Sequence, residues 1–166
     1  DFRIEEYTLK AAMKKMRLLS EISADRIQDE VTKLIMGKGA YKVLFDYPEI
    51  IFSIIPELKP LKTISQYQKK PHFSMWDHVT RVIKNSPNDM HIRWSALLHD
   101  IEKQDSGIEV DSVREKDKDY AKKSEEIARE VLTRLNFKKT SKKKILLMIK
   151  NLDRLTKMDT KAIKEY

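Results

Sequence analysis

Between Glu5 and Leu19 the apolar residues Leu9, Ala12, Met13, Met16 and Leu19 recur three and four apart, which draws one stripe along a helix. Ser23, as an N-cap residue, announces a second helix, and Ile27, Val31, Leu34 and Ile35 give it an apolar face. Gly37 and Gly39 mark its end. From Tyr41 to Ile55 apolar residues are dense, with Pro48 and Pro56 as punctuation, so two short helices are expected. Pro56 to Lys70 has no clean period and reads as a connection. Further helices are expected over about Met75–Lys84, behind Ser74 as cap, and over about Asp89–Ile101, with Ile92, Ala96 and Leu97 on the apolar side. Glu102–Asp119 is polar and dense in charge, which reads as an exposed loop. Helix returns over Tyr120–Leu135, where Ile127, Val131 and Leu135 are four apart. Another covers about Ser141–Leu152, capped by Ser141 or Thr140, and the tail from Asp159 adds a last turn. Neither period-two alternation nor a repeat of 20–50 residues appears. The expected fold class is all-α, with a soft boundary within Pro56–Lys70.

Composition narrows the function classes. The chain has 166 residues, of which 40% are hydrophobic and 36% charged. That is long enough to bury a real core, too apolar for a disordered chain and too charged for a membrane one. No apolar run approaches the ~18 residues of a bilayer span, and no secretory pattern opens the sequence. Cysteine is absent. Disulfides, thiolate catalysis and Cys-ligated metal centres are thereby excluded, and a reducing, cytoplasmic location is the expectation. Three glycines leave no Gly-rich phosphate loop. The net charge of +8 fits a polyanionic partner such as RNA, and equally a solvated basic surface.

All four histidines fall between His72 and His99, and Asp100 follows His99 directly. Imidazole nitrogen and carboxylate oxygen both suit a divalent cation. Two antiparallel helices would bring His78 beside His99 and Asp100, with Asp153 as the candidate fourth ligand. On spacing alone, hydrogen-bonded core residues are an equally open reading. His72 and His91 have no ligand-like neighbours. Trp76 and Trp94 read as core residues rather than base-stacking platforms. Lys138, Lys139, Lys142, Lys143 and Lys144 put five lysines within seven residues. They stand near a helix start, where the helix dipole disfavours them, so they read as a grip on an RNA backbone or as a solvated basic turn.

The stretch from Trp76 to Lys103 (Trp-Asp-His, a helix, then Ala-Leu-Leu-His-Asp-Ile-x-Lys) resembles the HD domain, an all-α superfamily of metal-dependent phosphohydrolases. Its ligand pattern falls here on His78, His99, Asp100 and Asp153. Further back, Ser23-Ala24-Asp25-Arg26-Ile27-Gln28-Asp29-Glu30 followed by Lys33-Leu34-Ile35 resembles the helix that opens the RNA-binding region of bacterial-type tRNA nucleotidyltransferases and poly(A) polymerases. Asp1-Phe2, Pro56-Glu57-Leu58, Ser124–Ala128 and Leu135-Asn136-Phe137 fall where that family has similar residues, so the resemblance covers nearly the whole chain. The sequence departs from the HD pattern at Tyr120 and Leu152, where histidine is frequent, and at Glu102, where glycine is common. The four-ligand set survives these departures.

The resemblance implies a helical neck and body over residues 1–60, followed by an HD-like helical bundle over 61–166. It implies tRNA or other structured RNA as partner, with Arg26 and the five lysines as RNA contacts. The ligand set would take magnesium, manganese, nickel or zinc. No residue here corresponds to the family's nucleotidyl-transfer centre, whose magnesium-binding carboxylates belong to a head domain, so the chain is expected to be a C-terminal piece of a longer transferase. A free-standing HD phosphohydrolase acting on a nucleotide or phosphomonoester is the alternative. A metal-free scaffold or a homodimerising piece is a third reading.

Overall fold

The computed structural model describes residues 5–64, 74–102 and 113–162, the side chains of 113–121 and 152–162 excepted. Helices α1 (Glu6–Lys15), α2 (Ala24–Met36), α3 (Ala40–Asp46), α4 (Pro48–Ile54), α5 (Met75–Asn85), α6 (Met90–Leu98), α7 (Val113–Arg134) and α8 (Lys139–Ala162) follow in order. Two 3-10 segments, Met16–Glu21 and Pro56–Lys62, are interspersed. Among the described residues no strand forms, and the fold is all-α. No helix in that set is long and apolar enough to cross a membrane.

Local chemistry accounts for the helix starts. The Glu5 carboxylate accepts from the Tyr7 and Thr8 amides and opens α1. Ser74 and Asp77 form a reciprocal capping box on α5, as the sequence predicted for Ser74. Asp89 accepts from the amides of His91 and Ile92 and opens α6; these two bonds hold its carboxyl below the usual aspartate range. Ser23 stands at the N-cap of α2, and its carbonyl rather than its side chain makes the bond, to the Ile27 amide at 3.0 Å. Pro48 opens α4 at a position where its missing N–H costs nothing.

The boundaries differ from expectation at four places. The stripe from Glu5 to Leu19 is not one helix: it tightens to 3-10 at Met16, and no residue of α1 is buried. Pro56–Lys62 is a 3-10 turn with Leu58 and Leu61 buried, not an open connection. Residues 113–119 are already helical, although a loop is what their charge density suggests. They lack an apolar stripe, but Arg, Glu and Lys are good helix formers. Helix α8 begins at Lys139 and runs unbroken to Ala162, so Thr140 and Ser141 lie inside its first turn rather than capping it.

Packing joins these helices around α6. The buried side chains form one cluster that runs from Ile27 on α2 to Ile149 on α8. Trp94 on α6 is fully buried; its indole N–H donates to Thr32 Oγ1 on α2 at 2.9 Å, and its ring meets Phe137 edge-on. Next to it, Arg93 donates to the Ile35 carbonyl at 2.6 Å, satisfying the C-terminal end of α2. Ser95 donates across to the Ile145 carbonyl of α8. Trp76 on α5 donates to the Leu44 carbonyl of α3 at 2.9 Å. Both tryptophans are therefore core, as expected.

Helix α7 ends in a Schellman turn. Phe137 N–H reaches the Leu132 carbonyl, Asn136 N–H reaches that of Thr133, and Asn136 takes φ 57°. The Asn136 side chain then donates to Asp25 at 2.8 Å, tying the turn to the start of α2. On the same helix, Arg134 forks onto both oxygens of Glu57 at 2.6 and 2.9 Å. That hydrogen bonding holds the Glu57 carboxyl below its ordinary range and raises Arg134.

Two outcomes follow. Asn136→Ala must hold an L side chain at positive φ, so it is expected to cost about 1–2 kcal/mol, and Asn136→Gly less. Urea midpoints of the two variants check this; equal losses would place the cost in the Asp25 hydrogen bond instead. Because Glu57 has a depressed folded-state pKa, its contribution is present above the unfolded pKa and is lost as pH falls through the folded one. Wild type is expected to lose more stability than Glu57→Gln on acidification from about pH 5 to pH 3. Melting temperatures across that window read the difference.

Candidate functional site

The end of α6 sets the candidate centre. The helix stops at Leu98, and the chain turns through His99, Asp100 and Ile101, with the Ile101 amide reaching back to the Leu98 carbonyl at 3.3 Å. Leu97, Leu98 and Ile101 are fully buried and anchor this turn on both sides. His99 and Asp100 are largely buried too, with side-chain exposures of 9% and 12%. From α5, His78 reaches the same point with 31% of its side chain exposed. The capping box fixes the start of α5, and buried Trp76 and Val79 flank His78 in the sequence.

The three side chains converge. His99 Nε2 lies 3.1 Å from Asp100 Oδ2 and 3.3 Å from His78 Nε2, and His78 Nε2 lies 3.6 Å from the same Asp100 oxygen. His99 Nδ1 stands 2.8 Å from the Ala96 carbonyl. A carbonyl only accepts, so Nδ1 carries a proton, and Nε2 is the ring atom turned toward the carboxylate. The chemistry of this donor set, two imidazoles and a carboxylate with ligand atoms within 4.8 Å of one another, fits a divalent ion. The backbone carbonyl that orients His99 is the kind of outer partner that metal-bound histidines use.

Sequence spacing thus anticipated the meeting of His78, His99 and Asp100. It did not anticipate Ala96, whose contribution is its carbonyl and leaves no residue-type signal. Asp153 lies on α8, and its side chain is outside the described residues, as are those of Tyr120 and Leu152; His72 is outside them altogether. Glu102 pairs with Lys123 at 3.3 Å, while its amide faces Ser124 Oγ at 3.4 Å. His91 sits apart from the centre, between Asp89 at 3.6 Å and Ser141 at 3.4 Å.

The basic residues gather elsewhere. Arg26 is exposed on the first turn of α2, and its neighbour Asp25 bonds to Asn136, two residues before Lys138. The Asp25–Asn136 bond therefore brings the start of α2 and the start of α8 to one side of the molecule. Lys138, Lys139, Lys143 and Lys144 are exposed there. Lys142 is half-buried and donates to Thr133 at 3.0 Å. Glu30, four residues after Arg26, pairs with Lys33 at 2.9 Å.

Residues 1–60 match the family model described as "Probable RNA and SrmB- binding site of polymerase A". Over that stretch, which includes α1 to α4, the chain is similar to the RNA-binding region of poly(A) polymerases and CCA-adding enzymes. Comparison with curated proteins and with solved structures finds no match.

Proposed function

We propose that this chain is an RNA-holding module that serves a nucleotidyltransferase of the tRNA-maturing or poly(A)-adding kind, with residues 1–60 as its neck and body and residues 61–166 as an HD-like bundle. The family match over residues 1–60 carries this reading. The exposed lysines at the start of α8, which the Asp25–Asn136 bond ties to the start of α2, support it as a set of phosphate contacts. No nucleotidyl transfer is assigned to these residues. The chain is expected to bind a tRNA with an affinity that falls steeply with salt. Replacing Lys138, Lys139, Lys142, Lys143 and Lys144 by Gln is expected to weaken binding. It should also flatten the log–log salt plot by about one unit for each phosphate no longer neutralised. Fluorescence anisotropy across a salt series measures both, and a wild-type chain that ignores tRNA at low salt would overturn the reading.

A second reading rests on the convergence of His78, His99 and Asp100. These residues, with Asp153, would hold one divalent ion, and such an ion would act as a Lewis acid toward a phosphoryl group. On this reading the bundle is an HD-type phosphohydrolase acting on a nucleotide or phosphomonoester. Dialysis against manganese or nickel is expected to leave about one ion per chain by elemental analysis and to raise the melting temperature, as a ligand that binds only the folded state must. His99→Ala should lose both effects. A chain that retains no metal under either condition would sink this second reading and leave the first intact.

A further inference from the structure

Helix α3 keeps an aromatic pair at its surface. Tyr41 and Phe45 stand four residues apart, the helical spacing at which side chains become neighbours. Their rings are stacked, with centroids 5.7 Å apart and planes 26° from parallel. Tyr41 is half-buried, and the Lys84 ammonium of α5 lies over its ring at 4.8 Å from the centroid. Phe45, the outer member, is 47% exposed although it is a large apolar side chain.

Packing anchors the helix that carries the pair. Ala40 and Leu44 bury the opposite side of α3, and the Leu44 carbonyl accepts from the buried Trp76 indole. The cation on Tyr41 comes from α5, so two packed helices fix the pair. The chain around it is basic: Lys38 precedes the helix, and Lys42 stands three residues before Phe45, both exposed. Asp46 is the acidic residue beside Phe45 on this helix. A lone exposed aromatic needs no explanation. A fixed stack with a cation over it and lysines beside it has the composition of a surface that takes a base on its ring face and the backbone phosphates on its ammonium groups.

We propose that Tyr41 and Phe45 form a base-stacking platform for single-stranded RNA, with Phe45 as the exposed face and Lys42 and Lys84 as the neighbouring phosphate contacts. The occupant is an unpaired nucleotide, because stacking needs a free base face. This rests on the RNA-binding reading above and adds a second point of contact, apart from the lysines of α8.

The test titrates the whole chain against a fluorescein-labelled oligoadenylate about twelve nucleotides long, and against an abasic ribose-phosphate strand of equal length. Phe45→Ala and Phe45→Leu are expected to weaken oligoadenylate binding roughly tenfold while leaving the salt slope unchanged, since they remove a ring and no charge. Neither should affect the abasic strand. Phe45→Trp is expected to restore affinity, and RNA should quench the fluorescence of the added indole. Unchanged melting temperatures confirm that the variants fold. If wild type binds oligoadenylate and Phe45→Ala and Tyr41→Ala bind it equally well, the platform is overturned and the face is left for a protein partner. If wild type binds tRNA but not the strand, the platform alone fails. If it binds neither, the RNA-binding reading fails with it.

Discussion

Burial of Trp94 is the interaction on which the other parts depend. A fully buried indole removes roughly 200 Å² of apolar surface from water, worth on the order of 5 kcal/mol before ordering costs. It also carries an N–H that must find an acceptor inside the core. Thr32 supplies that acceptor, and its own hydroxyl donates to the Gln28 carbonyl within α2. Phe137 closes the ring's edge from the turn between α7 and α8. One side chain thus fixes α6 against α2 and against the α7–α8 turn, and the adjacent Arg93 and Ser95 repeat the tie to α2 and α8 through backbone carbonyls.

The candidate centre follows from that placement. With α6 pinned, its last turn can stop only where Leu97, Leu98 and Ile101 are buried. His99 and Asp100 are the polar residues left between those anchors. They are held largely out of solvent, with His99 Nε2 and Asp100 Oδ2 3.1 Å apart. The Ala96 carbonyl sets the face of the His99 ring, and α5 brings His78 to meet it. Helix α5 is set in turn by the Trp76 bond to α3, so the metal-like cluster and the aromatic pair on α3 are attached to the same rigid helix.

Charge is distributed to different effect on the outside. Exposed pairs such as Lys33–Glu30 and Lys10–Glu6 contribute little to stability. The Arg134–Glu57 fork is bidentate and partly shielded, and it spans distant parts of the sequence, so it does more to hold the Pro56–Lys62 turn against α7. Among the lysines at the start of α8, Lys142 braces the turn through its bond to Thr133. The group as a whole opposes the helix dipole, and that local cost is what an electrostatic contact with a polyanion would offset.

The all-α fold, the buried face of α2, the cap at Ser74 and the polar pair at His99–Asp100 were legible in the sequence. Each is set by contacts within a turn or two of helix, where spacing and residue type carry the information. Boundaries in charged or proline-punctuated stretches were not legible. Residues 113–119 have helix propensity without an apolar stripe, and Pro56–Lys62 becomes ordered because Leu58 and Leu61 find a core made by remote segments. Tertiary structure alone decided that Asn136 would adopt positive φ and bond to Asp25, that Ala96 would orient His99, and that Phe45 would stay outside while Leu44 went in. A one-dimensional pattern cannot settle such choices, because they depend on which backbone groups and which faces of distant helices come to lie opposite each other.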